Sequence, residues 1–365
     1  KELKKNIPQA IATLSDYSKN NANDNVNQTL IGEYFQTGNV NKGVAILEKM
    51  IENKPYATGF RSKLAEIYFE LGQYEKALNL TKATIQFAPS VSGLYAIMGK
   101  IYKEQGKTDQ AIEYYEKCLY YNPLDYGARE QLNKLQKQAP IFSNFEEPKY
   151  DELAKIQVSQ KDFPDDHSYI LCNDAQTVVY KGGISEEKHF VMVKTLNAAG
   201  VDYWKEYDID FAGNEELKIE DAYIIKKNGT KVDAETKDKL VVYRNLEAGD
   251  NICLTYKIFH YSSGKLAEHF WDKMIFTRFL PARSIKYSLM IDNNTKFNWK
   301  LSNSEMKPIV REKGKYTQYI WERKDQKGTK GEKLMPSVVE FGEVLHISTF
   351  PDGHYIAKWD TDIAT

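Results

Sequence analysis

TGFRSKLAEIYFELGQYEKALNLTKATIQFAPSV, residues 58–91, comes back into register with the sequence on either side when shifted by 34 positions. The shift superposes Pro55, Pro89 and Pro123, then Gly38, Gly72 and Gly106, then Tyr34, Tyr68 and Tyr102, and the apolar set Leu30, Leu64 and Met98. A fixed period of this length marks stacked pairs of helices. Within the quoted unit, Leu64, Ile67 and Tyr68 share one face of a first helix, while Ala77, Leu78 and Thr81 share the inner face of a second. Gly72 lets the chain leave the first helix through a left-handed residue, and small Ala77 lets the two helices approach. Pro89 then stops the second helix. Each pair leaves an apolar face that only the next pair covers, so the units must stack.

This spacing resembles tetratricopeptide repeats over residues 24–125, divided into units 24–57, 58–91 and 92–125. In the last unit the family pattern falls on Tyr95, Met98, Gly99, Tyr102, Ala111, Tyr115, Cys118 and Pro123. The first unit departs from it, with Gly43 where alanine is usual and Ile31 where a small residue is usual. Ala10, Leu14 and Tyr17 carry the period backwards as the second helix of an earlier unit. At the other end 125–138, with Ala128, Leu132 and Leu135 apolar, reads as a cap helix. The resemblance implies a concave face lined by the first helix of each unit. Gln28, Phe35 and Gln36 fall on it in the first unit, Ser62, Glu66, Phe69 and Glu70 in the second, and Lys100 and Lys103 in the third. Two phenylalanines among mixed charges fit an extended or helical segment of a protein partner. The paired Lys and Asn with which chaperone-binding relatives clamp a C-terminal carboxylate are not at those positions. The chain's own later domains are the other expected occupant of this face.

Composition narrows the partners. Lys and Arg number 50 against 51 Asp and Glu, a net charge of −1, and residues before 140 carry +3 against −4 after it. Neither balance favours a nucleic acid. The basic run 323–333 also holds Asp325 and Glu332 and reads as a solvated hairpin loop. Apolar runs are too short for a transmembrane helix. Three cysteines, none in a Cys-x-x-Cys pair, exclude a disulfide scaffold and a zinc site; Cys118 reads as a repeat core residue, and a Cys172–Cys253 bridge stays open. No cofactor or metal is expected: His260 and His269 with Glu268 read as surface-loop residues, and Gly182-Gly183 lacks the helix of a phosphate loop.

The stretch APIFSNFEEPK, residues 139–149, has two prolines and no period, and begins an expected linker over 139–164. Beyond Pro164 the apolar period changes from 3.6 to 2. Strands are expected at 168–180, 188–196, 201–211, 217–227, 240–244, 252–260, 270–279, 284–291, 297–301, 316–322 and 344–349, separated by turns such as Asn228-Gly229 and Gly249-Asp250. Many short strands without a long helix between them predict an antiparallel β-sandwich over 165–343. Trp204 falls on the polar side of its strand, exposed or beneath a loop. The chain thus reads as multidomain, all-α followed by all-β: an N-terminal helical solenoid over 1–138 and a C-terminal β-sandwich.

LKIEDAYIIKKNGT (217–230) and LEAGDNICLTY (246–256), with Pro281 and the strand through Tyr287, resemble the bacterial domain of unknown function that precedes transglutaminase-like cores, over about 165–330. Lys227-Asn228-Gly229 stands where that family commonly has Pro-Asp-Gly, which preserves the turn. The resemblance implies an exported bacterial protein, periplasmic or secreted after loss of a signal peptide, with a Cys, His and Asp core downstream. Residues 344–365, with His346, Trp359 and Asp360, read as the lead-in to that core. None of the three cysteines has the glycine-and-aromatic setting of a nucleophile. The expected function is therefore a non-catalytic interaction and scaffold region. Two other readings remain: a cysteine-dependent enzyme of the transglutaminase or protease class, using Cys172 or Cys253 with His189, His260 or His269, and a carbohydrate-binding sandwich drawing on its 25 Tyr, 16 Phe and 5 Trp.

Overall fold

The computed structural model describes residues 7–20, 23–180, 183–261 and 268–351. The chain divides after Ala139 into two compact units.

The first unit is helical: α1 (Ile7–Asn20), α2 (Asp24–Gln36), α3 (Val40–Asn53), α4 (Thr58–Glu70), α5 (Tyr74–Ile85), α6 (Ser92–Glu104), α7 (Thr108–Tyr121) and α8 (Tyr126–Leu135). The recurring glycines act at the turns inside the pairs. Gly38, Gly72 and Gly106 have φ of 74, 69 and 71°, a region that strains any residue with a Cβ. That backbone turns the next amide inward, so Asn39, Gln73 and Lys107 donate to the carbonyls of Tyr34, Tyr68 and Tyr102 at 2.7, 2.8 and 2.9 Å. One core runs through the stack, from Ile31 and Leu47 through Leu64, Ala65 and Ala77 to Met98, Ala111 and Cys118. The irregular first unit packs by exchange of bulk: a Cβ on Gly43 would lie 2.8 Å from the Phe35 ring, so the missing methyl is the space that ring fills. In α1, Leu14 is half-buried while Ala10 and Tyr17 are exposed, so the face carried backwards from the repeat is rotated away from the expected one.

The second unit is built on an eight-stranded sheet in the order β12-β13-β10-β1-β2-β8-β4-β5. Its members are β1 (Ser168–Val179), β2 (Ser185–Thr195), β4 (Glu215–Ile225), β5 (Lys231–Asp233), β8 (Asn251–His260), β10 (Ala282–Asp292), β12 (Ile309–Lys313) and β13 (Tyr316–Gln326). Two three-stranded sheets accompany it. One holds β3 (Glu206–Asp208), β7 (Leu240–Val242) and β6 (Glu235–Lys237), the other β11 (Asn298–Ser302), β14 (Val344–Ser348) and β9 (Trp271–Ile275). Alternation along the strands makes two cores. Val191 and Val193 of β2, Leu254 of β8 and Tyr287 of β10 pack with Val241, Leu345 and Ile347 of the small sheets. Phe190, Met192 and Cys253 point to the opposite face, where Tyr150, Leu153, Ile156 and Phe163 cover them. The pairings are antiparallel except that β1 and β10 run parallel, Ile170 opposite Ala282 and Val179 opposite Ile291.

Four sequence expectations change. Residues 201–211 are not one strand: helix α9 (Ala198–Trp204) precedes β3. The Asn197 side chain accepts from the Gly200 amide at 3.1 Å, which starts the helix. Trp204 is 7% exposed, with its indole N–H donating to Ser168 Oγ at 3.2 Å. Residues 140–163 are not a linker but the second cover of the large sheet, anchored where the Tyr150 hydroxyl donates to the Leu254 carbonyl at 2.8 Å. Val344–Ser348, expected as a strand but set beyond the sandwich at 343, is the middle strand of a small sheet and belongs to the second unit; Trp359 and Asp360 lie outside the described residues. Finally β5, β6 and β12 join the expected strands, each short and mostly exposed, so without an apolar alternation to reveal them.

Candidate docking surface

The first helices α2, α4 and α6 carry the residues expected on the concave face, and α8 follows α6 on the same side. Two contacts trace that side from helix to helix. Lys100 Nζ of α6 lies 3.8 Å from Glu66 Oε1 of α4, and Lys103 Nζ of α6 donates to Gln131 Oε1 of α8 at 2.9 Å. Lys100 Nζ also sits 6.0 Å from the centroid of the Phe69 ring. Phe69 is half-buried and tilts against Tyr74 at 5.8 Å. Glu66, Phe69 and Lys100 therefore form one cluster, a partly exposed aromatic face bordered by an acid and a base. Exposed Glu70 stands one turn beyond Glu66, and Ser62 one turn before it. Phe35 differs from its expected role: its ring is committed to the α2–α3 seam over Gly43. Gln28 and Gln36 are exposed on α2, and no contact in the structure draws them into the cluster around Phe69. The exposed Lys100–Glu66 ion pair contributes little to stability, at most about 1 kcal/mol, so both charges remain available to a ligand.

His189 and His260 lie on one face of the large sheet, Cys172 and Cys253 on the other. His189 and His260 point toward the small sheets, where Glu187 receives both. His189 Nε2 is 2.8 Å from Glu187 Oε2, and His260 Nε2 is 3.1 Å from Glu187 Oε1. His260 Nδ1 lies 2.9 Å from Glu215 Oε1. Burial pushes the Glu187 carboxyl up, but the two imidazoles outweigh it and hold it below the usual range. Asp272 is shifted the other way, raised by burial and then by the charge on Glu187, while the Tyr287 hydroxyl donates to it at 2.6 Å. Each ring nitrogen of His260 faces a carboxylate oxygen, so the cluster reads as a polar clasp between strands. His269 instead packs at a tilt on Phe350, ring centroids 4.6 Å apart. No group able to hold a metal ion occurs among the described residues.

Cys172 and Cys253 sit on the other face with Tyr150 and Phe190, and burial raises both thiols. Both cysteines are thus kept apart from His189 and His260 by the sheet itself. Nor are the two cysteines bridged: Cys172 pairs across to Met192, and Met192 to Cys253. Two strand spacings are about 9–10 Å, beyond the roughly 7 Å between Cα atoms that a disulfide tolerates. Cys118 is buried against Asp125, its thiol pushed up to about 12 by burial and then by that carboxylate.

Comparison with known proteins agrees with the order of the two units. Residues 92–123 match the tetratricopeptide repeat model and residues 234–330 match a Domain of Unknown Function, DUF3857. No curated protein matches the chain. Among solved structures, a candidate protease from Parabacteroides distasonis ATCC 8503 is 17% identical with a TM-score of 0.45 over 51% of this chain, which spans 41% of that protein. MamA from Desulfovibrio magneticus RS-1 is 16% identical, TM-score 0.32, over 36% of this chain and 75% of that one. The first repeat domain of Spaghetti (RPAP3), bound to the HSP90 peptide SRMEEVD, is 21% identical, TM-score 0.29, over 31% of this chain and 89% of its own. Among the described residues no helix is long and apolar enough to cross a membrane. One polypeptide thus carries a tetratricopeptide repeat followed by a DUF3857 domain.

Proposed function

We propose that the face formed by α2, α4 and α6 docks a segment of a protein partner, and that the chain serves as an interaction and scaffold region. The observation that carries this reading is the cluster of Phe69, Glu66 and Lys100, an aromatic ring left partly open between opposite charges on successive first helices. Such a cluster suits an extended or helical peptide with one apolar anchor flanked by a base and an acid. The wider setting we propose, on the resemblance of 217–230 and 246–256 alone, is an exported bacterial protein whose transglutaminase-like core lies outside this sequence. Peptide display selected on the immobilised whole chain tests the docking reading. Enriched peptides are expected to lose binding to the doubly substituted Glu66→Ala, Phe69→Ala chain. Enriched peptides that bind the parent and this variant equally would remove the face from consideration.

A further inference from the structure

A cleft of about 1010 Å³ lies in the second unit, between residues 151–160 and the ends of β2, β4 and β8. In the β2–β8 ladder Lys194 stands directly opposite Asn251, so the two side chains project from the same face, and both line the cleft. They are 8% and 3% exposed. The Lys194 ammonium donates to the Ile156 carbonyl at 3.1 Å. Asn251 Oδ1 is buried without a hydrogen-bond partner among the described residues, and half a turn of the amide would present its NH₂ there instead.

The charges around the cleft are unbalanced. Lys226 is held by Asp250 and Glu247, and Lys231 by Asp151. Lys194 has no carboxylate partner among the described residues, nor has Lys155 at the rim, while the Lys227 charge acts on Glu247. Burial is the one cause acting on the Lys194 ammonium, and it pushes it down. A buried cation facing a cleft with no counter-charge is costly, and an anion placed beside it recovers that cost. The lining also includes apolar side chains, Val158, Leu196 and Ile225.

We propose that this cleft binds a small organic anion, its carboxylate or phosphate head held by Lys194 and the Asn251 amide and its apolar body lying against Val158, Leu196 and Ile225. The cleft belongs wholly to the second unit, so this proposal stands apart from peptide docking on the repeats. Calorimetric titration of the whole chain with 4-phenylbutyrate and with phenyl phosphate tests it, and the tighter of the two identifies the preferred head group. Saturable binding of either is expected, weakened by about tenfold or more in Lys194→Met and unchanged in Lys239→Met, whose lysine sits in an exposed pair with Asp208 elsewhere. Absence of saturable binding at millimolar probe, or equal affinity in the Lys194→Met chain, overturns the proposal. Should Lys194→Met fail to fold, the Asn251 side-chain amide resonance of the unsubstituted chain decides: movement on titration supports the site, and a stationary signal overturns it.

Discussion

Replacing His260 with glutamine should remove a pH dependence that the parent chain carries. Burial acts to lower the His260 pKa, yet Glu187, then Glu215 and Asp272, outweigh it and push it up to about 9 from 6.5. A group raised in the folded state stabilises the fold fully below its unfolded pKa and loses that contribution as pH climbs through the folded value. The window is therefore about pH 6.5 to 9. The gap between those values, at about 1.4 kcal/mol per unit, amounts to about 3 kcal/mol. All five tryptophans follow residue 139, so fluorescence-monitored urea unfolding reports on the second unit alone. The unfolding free energy of the parent should fall by about 3 kcal/mol across the window, while His260→Gln should be less stable at the acid end and nearly flat. Parallel curves for the two chains would refute the reasoning, because they would mean that the imidazole is not held as a cation.

The other predictions follow from packing and burial. Gly200→Ala places a Cβ 2.1 Å from the His167 carbonyl oxygen, and the backbone must move, so a loss of about 3 kcal/mol is expected in the same urea assay. Tyr150→Phe removes the donor to the Leu254 carbonyl and should cost the second unit about 1–2 kcal/mol; no change would mean that residues 140–163 do not belong to its fold. All three cysteines are buried, so a thiol reagent such as Ellman's should react slowly with the native chain and with every thiol once urea is added. Trp321→Ala empties a fully buried site and should cost about 3–5 kcal/mol by thermal or urea unfolding.

The helical unit was legible because its information is local: a glycine at a left-handed turn and an apolar face every few residues need no distant partner to be read. The strands with one wet face, such as β4, were legible for the same reason. Val201–Phe211 misled because Val201, Tyr203, Tyr207 and Ile209 keep strand alternation, whereas the outcome rests on the Asn197 cap and on the close approach of Gly200 to the His167 carbonyl. The segment after residue 139 misled because its prolines outweighed Phe142, Phe145, Tyr150 and Leu153, which are spaced to cover a sheet that the sequence alone does not display. The clasp around Glu187 and the facing pair of Lys194 and Asn251 depend on strand register. Register joins residues about 60 positions apart, and neither propensity nor period records it.

The parallel seam between β1 and β10 sets the order in which the polypeptide can take shape as it leaves the ribosome. Each helical pair can close as soon as its own residues have emerged, since its contacts are to near neighbours in sequence. The centre of the large sheet must wait, because Ile170 meets Ala282 only after the whole intervening segment has been synthesised. Until then β1 presents an unsatisfied backbone edge on that side, and the half-made sheet is open to pairing with the wrong strand for the whole of that interval.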